Sequence, residues 1–155
     1  MTGEVDSGKT ARLLSIYREL GSGDGFINAK IYRDDHFIGQ RIIRLSTGES
    51  EIFSAICEFT PPDWDEIYKY GNFSFSGKGQ AFARNITSGI IAKGTDPVFI
   101  DEIGPLELQK QGLCDILSML LRTKNEIYAV IRKSCINSVL KEFGIMRYDI
   151  IPPDH

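Results

Sequence analysis

Gly3-Glu4-Val5-Asp6-Ser7-Gly8-Lys9-Thr10 decides the fold. The stretch fits G-x-x-x-x-G-K-[ST], the phosphate-binding loop, at every fixed position. Glycines that open and close such a loop let its backbone N–H groups wrap an anion without Cβ clashes. At that spacing Lys9 reaches the β- and γ-phosphates as a point charge, and Thr10 offers its hydroxyl to Mg²⁺. A helix that starts near Lys9 adds N-terminal N–H groups and the positive end of its dipole. Gly3, Glu4, Val5, Asp6, Ser7, Gly8, Lys9 and Thr10 are therefore the predicted nucleotide cradle. A glycine-rich turn that merely caps a helix is the bland alternative.

Such a loop is normally entered from a β-strand, and only Met1 and Thr2 precede Gly3. Two residues are too few for a central strand of about five or six. The first strand is expected to be missing, with Gly3 to Ser7 less ordered or displaced as a result. The entering strand is otherwise expected at the centre of the sheet, between the strand that holds Asp101 and the last strand.

Downstream of the loop, Leu13, Leu14, Tyr17 and Leu20 recur at helical spacing, with Gly21 as C-cap. Ser22-Gly23-Asp24-Gly25 reads as a turn. Phe26–Arg33, Phe37–Ser46 and Glu51–Glu58 read as an antiparallel meander, joined through Asp34-Asp35-His36 and Thr47-Gly48-Glu49-Ser50. Residues 26–58 thus look like an insertion beside a parallel sheet. Thr60-Pro61-Pro62-Asp63 is a break, Trp64–Lys69 is ambiguous, and Tyr70–Ser76 reads as a short strand. Gly79–Lys93 has helical spacing, closed by Gly94.

Pro97-Val98-Phe99-Ile100-Asp101-Glu102 is an apolar run ending in two acids, the form of a buried parallel strand. An amphipathic helix is expected from Leu106 to about Arg122, then a strand Ile127–Ile131. A short helix through Ile136, Val139, Leu140 and Phe143, closed by Gly144, precedes a last strand, Arg147–Ile151. Alternating helix and strand in this half make the class α/β with a mainly parallel sheet flanked by helices. The 155 residues are enough for one domain, 1–155.

Composition narrows the function classes. With 42% hydrophobic and 25% charged residues the chain reads as soluble and globular. A net charge of −3 with scattered Lys and Arg argues against a nucleic-acid footprint. Cys57, Cys114 and Cys135 lack metal or disulfide spacing and read as free thiols of a reducing compartment. No signal peptide and no apolar run of membrane-spanning length are visible, so a cytoplasmic location is expected. Nothing in the sequence sets the oligomeric state.

In open α/β sheets, ligands bind at the carboxyl ends of the strands. Asp101 at such an end can face the Mg²⁺ beside Thr10. Glu102 can orient or deprotonate the water that attacks the γ-phosphate. A carboxylate pair facing solvent is the competing reading, but with the loop in the same chain the Asp-Glu pair favours hydrolysis over transfer. Arg132, after the Ile127–Ile131 strand, is a candidate catalytic cation. Lys133 follows the same strand, and Arg33, Arg41 and Arg44 on the meander are weaker candidates. Lys78 in Ser76-Gly77-Lys78-Gly79 reads as a turn before a helix rather than a second loop. His36 and His155 are too isolated for a metal site. Tyr148 to Pro153 could offer an apolar surface for a base.

Gly3-Glu4…Gly8-Lys9-Thr10, the Gly25-Phe26-Ile27 strand and Asp101-Glu102-Ile103-Gly104-Pro105-Leu106-Glu107-Leu108 resemble the small nucleoside-triphosphatases first described from thermophiles. These belong to the RecA-like phosphate-loop class. The resemblance spans nearly the whole chain. It implies Mg²⁺-dependent hydrolysis of ATP, GTP and related nucleotides to diphosphate and phosphate. It carries Lys9 and Thr10 to phosphate and metal, Asp101 to Mg²⁺ and Glu102 to the attacking water. Glu107 belongs to the same string and is equally readable as a helix-N-terminal surface acid. A regulatory nucleotide-binding module with little hydrolysis and a small-molecule kinase are the alternatives.

Overall fold

A computed structural model of the chain describes residues 2–3 and 8–152. Its strands are β1 (Thr2–Gly3), β2 (Asp24–Arg33), β3 (His36–Arg44), β4 (Ser50–Ile56), β5 (Glu66–Tyr70), β6 (Phe73–Ser76), β7 (Val98–Ile103) and β8 (Ile127–Arg132). Its helices are α1 (Lys9–Leu20), α2 (Gly77–Lys93), α3 (Pro105–Leu108), α4 (Cys114–Leu121) and α5 (Ile136–Glu142). One sheet runs in the order β1-β8-β7-β2-β3-β4-β6-β5. Pairing is parallel from β1 through β8 and β7 to β2, and antiparallel from β2 through β3, β4 and β6 to β5.

Strand β2 is the hinge between the two halves. Its first residues, Asp24 to Phe26, pair in parallel with Val98 to Ile100. Phe26 to Arg33 pair antiparallel with β3. The meander is therefore not set beside the parallel sheet but continuous with it. The turn expected at Ser22–Gly25 is shorter, because Asp24 and Gly25 already belong to β2. Asp34 and Asp35 make the hairpin with φ of 50° and 64°, the left-handed pair that matches strand twist. The ambiguous Trp64–Lys69 segment supplies β5.

The sheet is covered on both faces. Residues one apart in a strand face opposite sides, and β7 follows this from Val98 to Asp101. Phe99 meets α1 in a cluster with Leu13, Ile16 and Val130. Val98, Ile100 and Ile103 join the larger core with Ile86 and Ile90 of α2, Ile116 and Leu120 of α4, and Val139 of α5. Each fully buried aliphatic or aromatic side chain contributes about 1.5–3 kcal/mol.

Three expectations need correction. The entering strand exists as two residues, pairing Thr2 with Ile131 and Gly3 with Arg132. It lies outside β8 and does not neighbour β7, since β8 intervenes. Arg147–Ile151 forms no strand. Its alternating pattern has no ladder partner among the described residues, and Met146, Tyr148 and Ile150 are exposed. The helix expected from Leu106 to Arg122 is broken into α3 and α4. Lys110 and Gly112 adopt φ of 62° and 61°, which no α-helix accommodates. A Cβ on Gly112 would collide with the Glu107 carboxylate and meet Leu106.

Candidate active site

Helix α1 begins at Lys9 behind Gly8, whose φ of 82° needs no Cβ penalty. Glu4, Val5, Asp6 and Ser7 of the predicted cradle, and the expectation about its order, lie outside the described residues. Gly8, Lys9 and Thr10 line a cleft of ≈ 1000 Å³ at the carboxyl ends of β7 and β8.

Strand β7 delivers the two acids. Asp101 follows Phe99 onto the α1 face by simple alternation, and there it is fully buried. Thr10 Oγ1 donates to Asp101 Oδ2 at 2.8 Å, and the Asn28 N–H donates to the same oxygen at 3.1 Å. Asp101 Oδ1 is buried with no hydrogen-bond partner among the described residues. Burial, reinforced by the neighbouring Glu102 charge, pushes this carboxyl up to about 7. The Lys9 charge and the hydrogen bonds from Thr10 and Asn28 pull the other way without cancelling the effect of burial. A divalent cation beside Thr10 is the group such a donor pair fits.

Glu102 breaks the alternation. Its φ is 63°, a left-handed conformation that non-glycine residues hold at a cost of about 1–3 kcal/mol. Register between β7 and β8 shifts there: Ile100 opposes Ala129, yet Ile103 opposes Ile131. This bulge lets Ile100 and Ile103 share one core and re-aims the residue between them. Glu102 consequently lines the cleft, where Gln40 Nε2 donates to its Oε2 at 2.9 Å.

Glu107 is not a surface acid. It is 3% exposed and accepts from Gly104 N at 2.7 Å and Leu113 N at 2.8 Å. Burial pushes its carboxyl up to about 7, against the pull of those two hydrogen bonds. It clamps the end of β7 to the start of α4. Tyr68 and Gln80 fasten the same loop, the Tyr68 hydroxyl accepting from Gly112 N and Gln80 Nε2 donating to Gly112 O, both at 2.8 Å. No motif in the sequence marks the burial of Glu107; it follows from the chain breaks at Gly104 and Gly112, on either side of α3.

Arg132 lines the cleft beside Gly104. The meander arginines are occupied elsewhere. Arg44 pairs with Asp24 at 2.8 Å, Arg41 donates to Ser50 Oγ at 3.1 Å, and Arg33 stands over the Phe59 ring at 5.6 Å. Lys78 starts α2 behind the Ser76 cap, its N–H donating to Asp65 at 2.8 Å. His36 pairs in β3 with Arg33, and His155 lies outside the described residues. Tyr148 and Pro152 are not part of the cleft wall. Asn28, Gln40 and Ser54, which do line it, carry no sequence motif; only the register of β2, β3 and β4 gathers them.

A helix starting on Gly-Lys-Thr, a buried Asp hydrogen-bonded to that Thr and parallel strands feeding both define a phosphate-loop NTPase fold. The chain belongs to the NTPase family, whose model matches residues 1–150. It is 23% identical over 156 residues to nucleoside-triphosphatase THEP1 of Archaeoglobus fulgidus, covering 96% of this chain and 87% of that one. It is 29% identical over 134 residues to nucleoside-triphosphatase THEP1 of Natranaerobius thermophilus, covering 86% and 73%. The crystal structure of THEP1 from Aquifex aeolicus has the same fold, with a TM-score of 0.69 at 24% identity over 93% of this chain and 81% of that one. A human cancer-related nucleoside triphosphatase is also similar in fold, with a TM-score of 0.61 at 18% identity over 88% and 77%. Among the described residues no helix is long and apolar enough to cross a membrane.

Proposed function

We propose that residues 1–155 form one catalytic domain that hydrolyses nucleoside triphosphates of the ATP and GTP type to diphosphate and phosphate, with Mg²⁺. The observation that carries this reading is the Thr10–Asp101 hydrogen bond of 2.8 Å, beside the partnerless Asp101 Oδ1. Thr10 and Asp101 would hold the metal, with phosphate oxygens and waters completing its shell. Mg²⁺ would neutralise charge on the β- and γ-phosphates and so lower the barrier to P–O cleavage.

The rest of the chemistry belongs to the chain. The stretch from Gly3 to Gly8 is the expected cradle of the phosphates, and Lys9 bridges the β- and γ-phosphates. Glu102 accepts the proton of the attacking water as the oxygen–phosphorus bond forms. Gln40 fixes that carboxylate through the bond to Oε2. Arg132, which lines the cleft beside Gly104, offers a positive charge to the γ-phosphate oxygens. The names of the curated relatives support the nucleotide substrate.

The test is phosphate release from ATP and from GTP by the purified chain in Mg²⁺. Release that stops on chelation and returns with Mg²⁺ is the expected result. Nucleotide binding without release from either substrate would refute the hydrolase reading.

A further inference from the structure

The cleft extends well past the phosphate end. Asn28, whose N–H meets Asp101, and Tyr32 both line it. They are four residues apart on β2, a span of about 13 Å at strand rise. Beyond Glu102 the walls become aromatic. The Tyr32 and Phe37 ring centroids are 6.1 Å apart, those of Phe37 and Phe73 5.6 Å, and Tyr70 lines the same end. Tyr32 is 58% exposed. Large rings left open in a concave site mark a binding surface.

Between the rings and the phosphate end lies a polar floor of Asn28, Gln40 and Ser54, from adjacent β2, β3 and β4. Gln40 stands opposite Ser54 in the ladder. Asn28 and Ser54 are 7% and 1% exposed. Asn28 Oδ1 and Ser54 Oγ nevertheless have no hydrogen-bond partner among the described residues. A buried orphan of this kind costs about 1–3 kcal/mol. Both atoms can accept, so the floor suits hydroxyl donors, and Lys30, opposite Gln40 in the ladder and with its Nζ 5.8 Å from the Phe37 ring centroid, adds one cation to this end of the cleft.

We propose that this end of the cleft is an acceptor site for a small aromatic alcohol of nucleoside size, to which the enzyme transfers the γ-phosphoryl group. The proposal rests on the reading that Lys9, Thr10, Asp101 and Glu102 hold and activate the triphosphate. The acceptor's ring stacks on Phe37 and Phe73, and its hydroxyls satisfy Asn28 Oδ1 and Ser54 Oγ. One further hydroxyl faces Glu102, whose carboxylate Gln40 holds on the acceptor side. The alcohol oxygen forms a bond to the γ-phosphorus while the bond to the β,γ-bridging oxygen breaks. The nucleoside diphosphate leaves with that electron pair, Glu102 takes the hydroxyl proton and passes it to solvent, and the product is a phosphate monoester. Water occupying the same place gives hydrolysis.

The experiment supplies ATP labelled at the γ-phosphate, Mg²⁺ and, separately, adenosine, guanosine, cytidine, uridine and pyridoxine at about 1 mM, the top of the usual KM range. Labelled monoester and labelled phosphate are separated in the same reaction. The expected result is monoester from at least one probe. Phe37→Ala, and Tyr32→Ala at an exposed position that tolerates truncation, should each lower the ester-to-phosphate ratio about tenfold. Phosphate release without ester from any probe overturns the acceptor site and leaves the hydrolase reading standing. An ester-to-phosphate ratio unchanged in both variants overturns it too. Neither ester nor phosphate from the chain overturns both readings.

Discussion

Replacing Glu107 by Ala should destabilise the protein by an amount that shrinks as pH rises. The substitution strips the acceptors from Gly104 N and Leu113 N. Each buried N–H left unsatisfied costs about 1–3 kcal/mol, so about 2–6 kcal/mol is at stake. The wild-type carboxyl, however, is raised from 4.5 to about 7, chiefly by burial. Its folded form binds the proton more tightly than its unfolded form. Its stabilising contribution is therefore complete below about pH 4.5 and is lost as pH rises through about 7. At about 1.4 kcal/mol per pH unit, the loss between about pH 5 and pH 8 is about 2.5 kcal/mol. The variant has no such titration. Asp101 is raised in the same direction, but it is present in both proteins and cancels in the difference. Urea unfolding of the two proteins at both pH values measures the gap directly. A gap about 2.5 kcal/mol smaller at the higher pH is expected. A gap that is constant, or wider at the higher pH, would refute the account of Glu107 as a carboxyl held neutral by its burial.

Two further outcomes follow from the same geometry. Asp24, 4% exposed, binds Arg44 through Nη2 at 2.8 Å and Nε at 2.9 Å, accepts from Ser46 Oγ at 2.8 Å and accepts from Gly25 N at 2.8 Å. Asp24→Ala breaks a buried pair and should cost about 3–5 kcal/mol, a fall in Tm of about 10 °C at this size; a shift under about 2 °C would show that the cluster is dispensable. Arg132→Ala should lower kcat by about 10²–10³ with little change in KM, as loss of a transition-state cation does; an unchanged kcat would make Arg132 a solvated strand end.

The parts of this fold that depend on local rules were legible in the sequence. Gly8 and Gly21 bracket α1 at the positions that motif and capping require, and Val98-Phe99-Ile100 is apolar because both faces of β7 are covered. Its place at the carboxyl end of that strand put Asp101 near Thr10. What failed depended on distant partners. Arg147–Ile151 alternates like a strand, but a strand exists only where a ladder receives it. Leu106 to Arg122 has helical spacing throughout, yet Gly112 and the buried Glu107 make folding back more favourable than continuing. The aromatic end of the cleft and its polar floor come from β2, β3, β4, β5 and β6, and no local pattern announces a surface assembled by register alone.

The central claim is that Glu102, re-aimed by the bulge in β7, activates the attacking oxygen. Single-turnover phosphate release by Glu102→Gln, with bound nucleotide measured alongside, tests it most directly. The account predicts nucleotide binding close to the parent's and release slowed about 10²–10⁴-fold. Release at the parent rate from a fully loaded Glu102→Gln protein would contradict it.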